Sequence, residues 1–161
     1  MPRLLDYTNA KKGVFPAGRP RITASSESSR YFTNAWGTAL QLLDGIRESY
    51  PRDGHMIWQP AKNDKHPTLT LTLPQMETVR ELRLYRVKGW KLYGGRDEAA
   101  GLSLPCGKVS VRTENGDWRM AAEFAESDLD CLKVPLLQEK AKELRIEFEH
   151  SNFALSELEV F

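Results

Sequence analysis

The sequence predicts an all-β domain, an antiparallel β-sandwich or jelly roll. Three observations carry this. Apolar residues recur at every second position over short runs, as in Leu69, Leu71 and Leu73 of TLTLTL and Leu144, Ile146 and Phe148 of ELRIEF, and that period marks half-buried strands. Turn residues separate these runs at spacings usual for all-β chains. A helix-like segment occurs only once, giving about eight short strands and one small helix in all.

Residues 1–20 hold three of the nine prolines and read as a lead-in segment; residues 21–161 read as the domain. RITASSESS offers a strand around Ile22–Ser25 and then a Ser-rich loop. WGTALQLLDG gives one or two helical turns, with Asp44-Gly45 just beyond them. HPTLTLTLP is a strand ended by Pro74, and VRELRLYRV puts Leu82 and Leu84 on one face. GKVSVRTENGDWRMAAEF reads as a hairpin with Val109 and Val111 inward and Asn115-Gly116 as its φ > 0 turn pair. DCLKVPLL is a further short strand, and KELRIEFEH another. ALSELEVF closes the chain with Leu158 and Val160 inward and Glu157 and Glu159 on the other face.

A chain of 161 residues suits one domain. Lys+Arg number 23 and Asp+Glu 22, so no global field steers the chain toward nucleic acid or an anionic membrane. No apolar run is long enough to span a bilayer, and MPRLLDYTNAKKGVFPAG lacks a signal-peptide apolar core. Cys106 and Cys131 suit either a disulfide or two buried thiols. The second is preferred, because a core of this size needs no staple. His55, His66 and His150 are scattered without metal-ligand spacing. There is no GxSxG, no Gly-rich phosphate loop and no HExxH, and no acid pair such as Asp128 and Asp130 is set in an apolar run, so catalysis is not expected.

The four tryptophans divide by context. Trp58, beside Met56 and Ile57, reads as core, and Trp118 after the Asn-Gly turn reads as packing on its hairpin. Trp36 in SSRYFTNAWGT and Trp90 in VKGWKLYGGR have no such structural task. KNDKH, from Lys62 to His66, reads as a solvated turn.

The series ITASSESS, ALQLLDG, MIW ahead of TLTLTLP, VRELRLYR, GKVSVRTENGDW and ALSELEVF spans residues 21–161. It resembles the discoidin, or coagulation-factor type C, superfamily with its galactose-binding-like jelly roll. Within it the chain is most similar to the family 32 carbohydrate-binding modules, and DGIRESYPRDGHMIWQP looks like the version attached to bacterial glycoside hydrolases. Two departures stand out: the terminal cysteine pair of animal discoidin domains is missing, and the membrane-inserting apolar spikes of clotting-factor domains are not evident.

The resemblance implies a structural calcium ion at the loop after the DG step. Its ligands would be the carboxylates of Asp44 and Glu157, the Ser49 hydroxyl and the carbonyls of Gln41, Ile46 and Leu155. Calcium takes roughly six to eight oxygens, mixing carboxylates with carbonyls. On the residues alone, Asp44 caps a turn and Glu157 is a solvated strand acid; a pairing of Arg47 with Asp44 in place of the metal also stays open. The resemblance further implies ligand loops at one end of the sandwich. The candidates are Tyr31, Phe32 and Trp36 from the first loop, Arg52 and His55 from the DG loop, Trp90, and Asn152 and Phe153 before the last strand. Aromatic rings stack on the C–H faces of sugars while polar groups orient the hydroxyls.

The function so implied is a non-catalytic carbohydrate-binding module, an accessory domain of a secreted or periplasmic bacterial glycoside hydrolase. Its partners would be a polysaccharide or glycan and a catalytic domain of the parent protein, with no nucleic acid and no membrane insertion. The alternative is a structural β-sandwich that packs against a catalytic neighbour and binds no free sugar. A lipid-binding discoidin-type domain is disfavoured by the absent spikes.

Overall fold

A computed structural model describes residues 20–27, 39–43, 45, 47, 57–87 and 103–161, without the side chains of residues 40 and 41. Six strands form within these residues: β1 Arg21–Ala24, β2 Thr68–Arg86, β3 Gly107–Arg112, β4 Arg119–Phe124, β5 Cys131–Phe148 and β6 Leu155–Val160. A 3-10 turn over Ala39–Leu43 stands where the helical turns were expected. All strand pairs are antiparallel.

β2 and β5 are 19 and 18 residues long and pair along nearly their whole length. Each therefore joins two runs that the sequence reads as separate strands. Pro74 and Pro135 do not end their strands, because both lie close to register shifts at which the ribbon bends. One shift falls between Thr72 and Glu77, the next between Val79 and Glu81. The bulge on the β5 side holds Gln138 at φ 48°, the only described non-glycine residue with positive φ. Across the bend the spacing of buried residues breaks: Leu69, Leu71 and Leu73 alternate, and burial resumes at Val79, Leu82 and Leu84.

The bend divides the molecule into two layers. The first half of β2 pairs with the second half of β5; β1 adds to β2, β3 to β5, and β4 to β3. The second half of β2 pairs with the first half of β5 and with β6. A single apolar cluster takes Leu71, Leu144, Ile146 and Val109 from the first layer and Leu84, Val134, Leu158 and Val160 from the second. This is the expected sandwich, its faces chosen by period-two alternation.

Some local expectations are corrected. In the β3–β4 hairpin the turn is Thr113–Gly116, closed by the Gly116 N–H on the Thr113 carbonyl at 3.2 Å. Glycine thus occupies the last turn position, and neither Asn115 nor Gly116 has positive φ. The six-residue connection has no need of the mirror-image turn that two-residue hairpins require. Both cysteines are free; Cys106 is exposed and Cys131 half-buried, so neither is the buried thiol expected. No described helix is long and apolar enough to cross a membrane, which leaves strand-based spanning untouched.

Candidate functional site

One rim of the sandwich gathers the ends of the long connections. Trp58 bridges Leu155, with N–H···O distances of 2.8 and 3.0 Å in the two directions. Its indole Nε1 donates to the Ser26 carbonyl at 3.1 Å. Glu27 accepts the Ala39 N–H at 2.9 Å, closing the ends of the segment 28–38 on each other. Val87 N–H donates to the Ala154 carbonyl at 3.3 Å, and Glu149 N–H to the Cys106 carbonyl at 3.1 Å. The described ends of segments 28–38, 48–56 and 88–102 thereby meet around the start of β6.

Beneath this rim lies an aromatic base. Trp58, Phe148 and Phe153 are almost wholly buried. Phe153 meets Trp58 edge-on at 5.7 Å between centroids and Phe148 at 4.6 Å. Such packing orients large rings and fixes the strand ends that carry the loops. Trp58 is core, as expected. Phe153, expected among the ligand residues, is fully buried against Trp58 and Phe148 and exposes no face at the surface. Its neighbour Asn152 is exposed, with its N–H on His150 Nδ1 at 3.2 Å.

The last strand holds the DG segment. All six residues of β6 are buried, including Glu157 and Glu159 on the face turned away from the core. The Gly45 N–H donates to Glu157 Oε1 at 3.0 Å. Arg47 forks onto Glu159 through Nε to Oε1 and Nη2 to Oε2, the latter at 2.9 Å. The Ser156 hydroxyl donates to the Arg47 carbonyl at 2.7 Å. Burying carboxylates is costly unless donors meet them, so each acid of β6 specifies where this segment crosses the strand. Glu157 is therefore no solvated strand acid. Arg47 pairs with Glu159, and the Glu159 carboxylate raises its pKa further. The same guanidinium lies 5.3 Å from the centroid of Tyr85, whose phenol is pushed above its ordinary range by burial and by its bonds to Glu159 and Cys131.

The Lys62–His66 cluster is an exposed turn with a structural centre. Asp64 accepts the hydroxyls of Ser25 and Ser26 at 2.5 and 2.6 Å and the His66 N–H at 3.2 Å. Burial alone would raise its pKa, but these donors hold it below the ordinary aspartate value. The Ser151 hydroxyl reaches the Lys62 carbonyl at 3.0 Å, tying this turn to the loop before β6.

Of the expected calcium ligands, Glu157 and Leu155 are described. The Leu155 carbonyl already accepts the Trp58 N–H. The Gln41 backbone sits inside the 3-10 turn. Asp44, Ile46 and Ser49 lie outside the described residues, and no group of three His, Cys, Asp or Glu side chains with metal-site geometry occurs among those described. Tyr31, Phe32, Trp36, Arg52, His55 and Trp90 also lie outside them, on the segments whose ends meet at the rim. One residue escaped the sequence reading. Gln59, next to the core Trp58, is 5% exposed and its Oε1 finds no hydrogen-bond partner. A glutamine before a proline gives no sequence signal; only the buried acceptor reveals it.

A bent β2–β5 ribbon and a rim closed by the last strand thus define a two-layer antiparallel β-sandwich. No protein-family model matches the chain, and no curated protein matches it in sequence. Solved structures do match its fold. The C-terminal domain of a chitobiase from Bacteroides fragilis superimposes with a TM-score of 0.71 at 14% identity, covering 99% of this chain and 97% of that one. The CpGH89CBM32-5 module of Clostridium perfringens, in complex with GalNAc-β-1,3-galactose, gives 0.67 at 18% identity over 91% and 97%. The family 32 CBM from C. perfringens NanJ, in complex with galactose, gives 0.65 at 15% over 90% and 95%.

Proposed function

We propose that this chain is a non-catalytic carbohydrate-binding module, an accessory domain of an exported bacterial glycoside hydrolase. The observation that supports this most is that the described ends of three long segments, rich in aromatic and polar residues by sequence, meet at one rim of a sandwich whose structural neighbours include sugar complexes. Tyr31, Phe32, Trp36 and Trp90 supply rings for a pyranose face; Arg52, His55 and Asn152 supply hydrogen bonds. Gln59 adds a buried acceptor next to Trp58. Four acids near this end are spent on structure: Glu27 on Ala39, Asp64 on two serines, Glu157 on Gly45 and Glu159 on Arg47. Such a module works by raising the effective concentration of a tethered enzyme at its polysaccharide.

The same reading includes a structural calcium ion beside the DG step. The fit rests on Glu157, a buried anionic oxygen donor hydrogen-bonded to the residue after Asp44. Arg47 is committed to Glu159, which removes it as a stand-in for the cation. When bound, the ion would balance the two acids and tie the loop to β6.

Titration with galactose- and arabinose-type sugars tests the binding reading. Loss of binding in Trp36→Ala at an unchanged melting temperature supports it. A wild-type protein that binds nothing on a broad glycan array overturns it in favour of a domain that packs against a catalytic neighbour.

A further inference from the structure

Trp118 lies away from the rim, just ahead of β4. The Arg112 guanidinium sits 4.6 Å from its ring centroid and that of Arg145 4.4 Å. Both arginines rise from the outer face of the five-stranded layer, on adjacent strands and in diagonal register, Arg112 opposite Glu143 and Arg145 opposite Ser110. The indole is thereby braced over the strands by two cations, and it is half-buried rather than enclosed. Hydroxyls flank it along the same face: Thr72 opposite Glu143 and Thr70 opposite Arg145.

The charges on this face are sorted by depth. In each ion pair the base is the more exposed partner: Arg112 39% against Glu143 19%, Lys108 52% against Glu147 29%, and Arg145 32% against the same Glu147 29%. Arg145 is loosely paired, since Glu147 stands 3.8 Å away and its Nε finds no hydrogen-bond acceptor. The exposed acids Glu114, Asp117 and Glu123 belong to the hairpin tip and the edge strand, outside this central row.

We propose that this face is a second glycan-binding surface, taking an internal segment of an acidic polysaccharide. A pyranose ring stacks on Trp118, and its carboxylate or sulfate meets Arg112 and Arg145. An aromatic platform with fixed guanidinium forks suits that chemistry. The flat strand face accepts a passing chain. This rests on the carbohydrate-binding reading and extends it to a class of ligand.

Affinity electrophoresis of the whole chain tests it, in gels holding polygalacturonate, chondroitin sulfate or a neutral galactan. Retardation by an acidic polymer is expected for wild type. It should weaken at least about tenfold in Trp118→Ala and in Arg145→Gln, the scale of losing one anchor residue. Lys133→Gln, on the other layer, should leave it unchanged. Melting temperatures check folding, and Arg145→Gln leaves the indole itself in the chain. Acidic-gel retardation that survives both substitutions, or wild type retarded by galactan alone, overturns this surface and leaves the rim reading standing. Wild type retarded by no polymer overturns this surface, and the glycan array then decides the rim.

Discussion

Glu157 shows how one side chain can organise a loop more than a hundred residues away in sequence. Its carboxylate is 2% exposed and accepts the Gly45 N–H. Glu157→Ala should cost about 1–3 kcal/mol in urea denaturation, by taking the acceptor from the Gly45 N–H and emptying a buried position. Glu157→Gln keeps the shape and an acceptor but loses the charge. If calcium sits here, chelation should lower the melting temperature of wild type by several degrees and leave Glu157→Gln unmoved, because a ligand bound only by the native state stabilises it. Identical curves for wild type with and without chelator would remove the ion. The Arg47–Glu159 pair is asymmetric in exposure, 54% against 6%. Losing Arg47 leaves a carboxylate buried, so Arg47→Ala should cost about 2–4 kcal/mol, with part recovered when Glu159→Gln is added.

At the scale of elements, Gly107 leaves no room for a side chain where β3 meets β5. A Cβ there would strike the Glu147 carbonyl and stand 2.6 Å from Phe124 Cζ. Gly107→Ala should destabilise by about 2 kcal/mol or more, since the backbone oxygen cannot rotate aside. At the rim, Phe153→Ala should cost about 3–5 kcal/mol by leaving a hole between Trp58 and Phe148. Trp36→Ala should change stability little, and this contrast would separate the rim's base from its candidate ligand surface. The period-two runs were legible in the sequence because one face of each strand is buried. That Pro74 and Pro135 would be carried inside strands was not legible. A proline is tolerated only where the ladder is already interrupted, and those interruptions follow from how the ribbon bends between layers. The burial of both faces of β6 was hidden for a similar reason, as the cover comes from a segment distant in sequence.

For the whole molecule, acid should be the weak side. The Arg112 hydrogen bond holds Glu143 below its ordinary 4.5. Donors from Ser25, Ser26 and His66 outweigh burial and hold Asp64 below 3.8. Both folded-state values are depressed, so the stabilisation is complete above the unfolded values and is lost as the pH falls through the folded ones. Stability followed by denaturant midpoint should therefore decline from about pH 5 downward, and Glu143→Gln should flatten that decline. Tyr85 has the opposite sign: its raised value makes its contribution fade as the pH climbs past 10.

By itself, the sequence determined the fold class and most core positions, because alternation of apolar and polar residues is a local property that one buried face imposes on every strand. A resemblance in motif order also linked the DG step to one acid of the last strand, Glu157. Only the tertiary structure decided which acid meets which group. Gly45 falls to Glu157 and Arg47 to Glu159, while Phe153 turns inward and Arg112 and Arg145 come together under Trp118. Those pairings depend on strand register and on where two layers fold over each other, and register is a relation between distant segments that no single stretch of residues encodes.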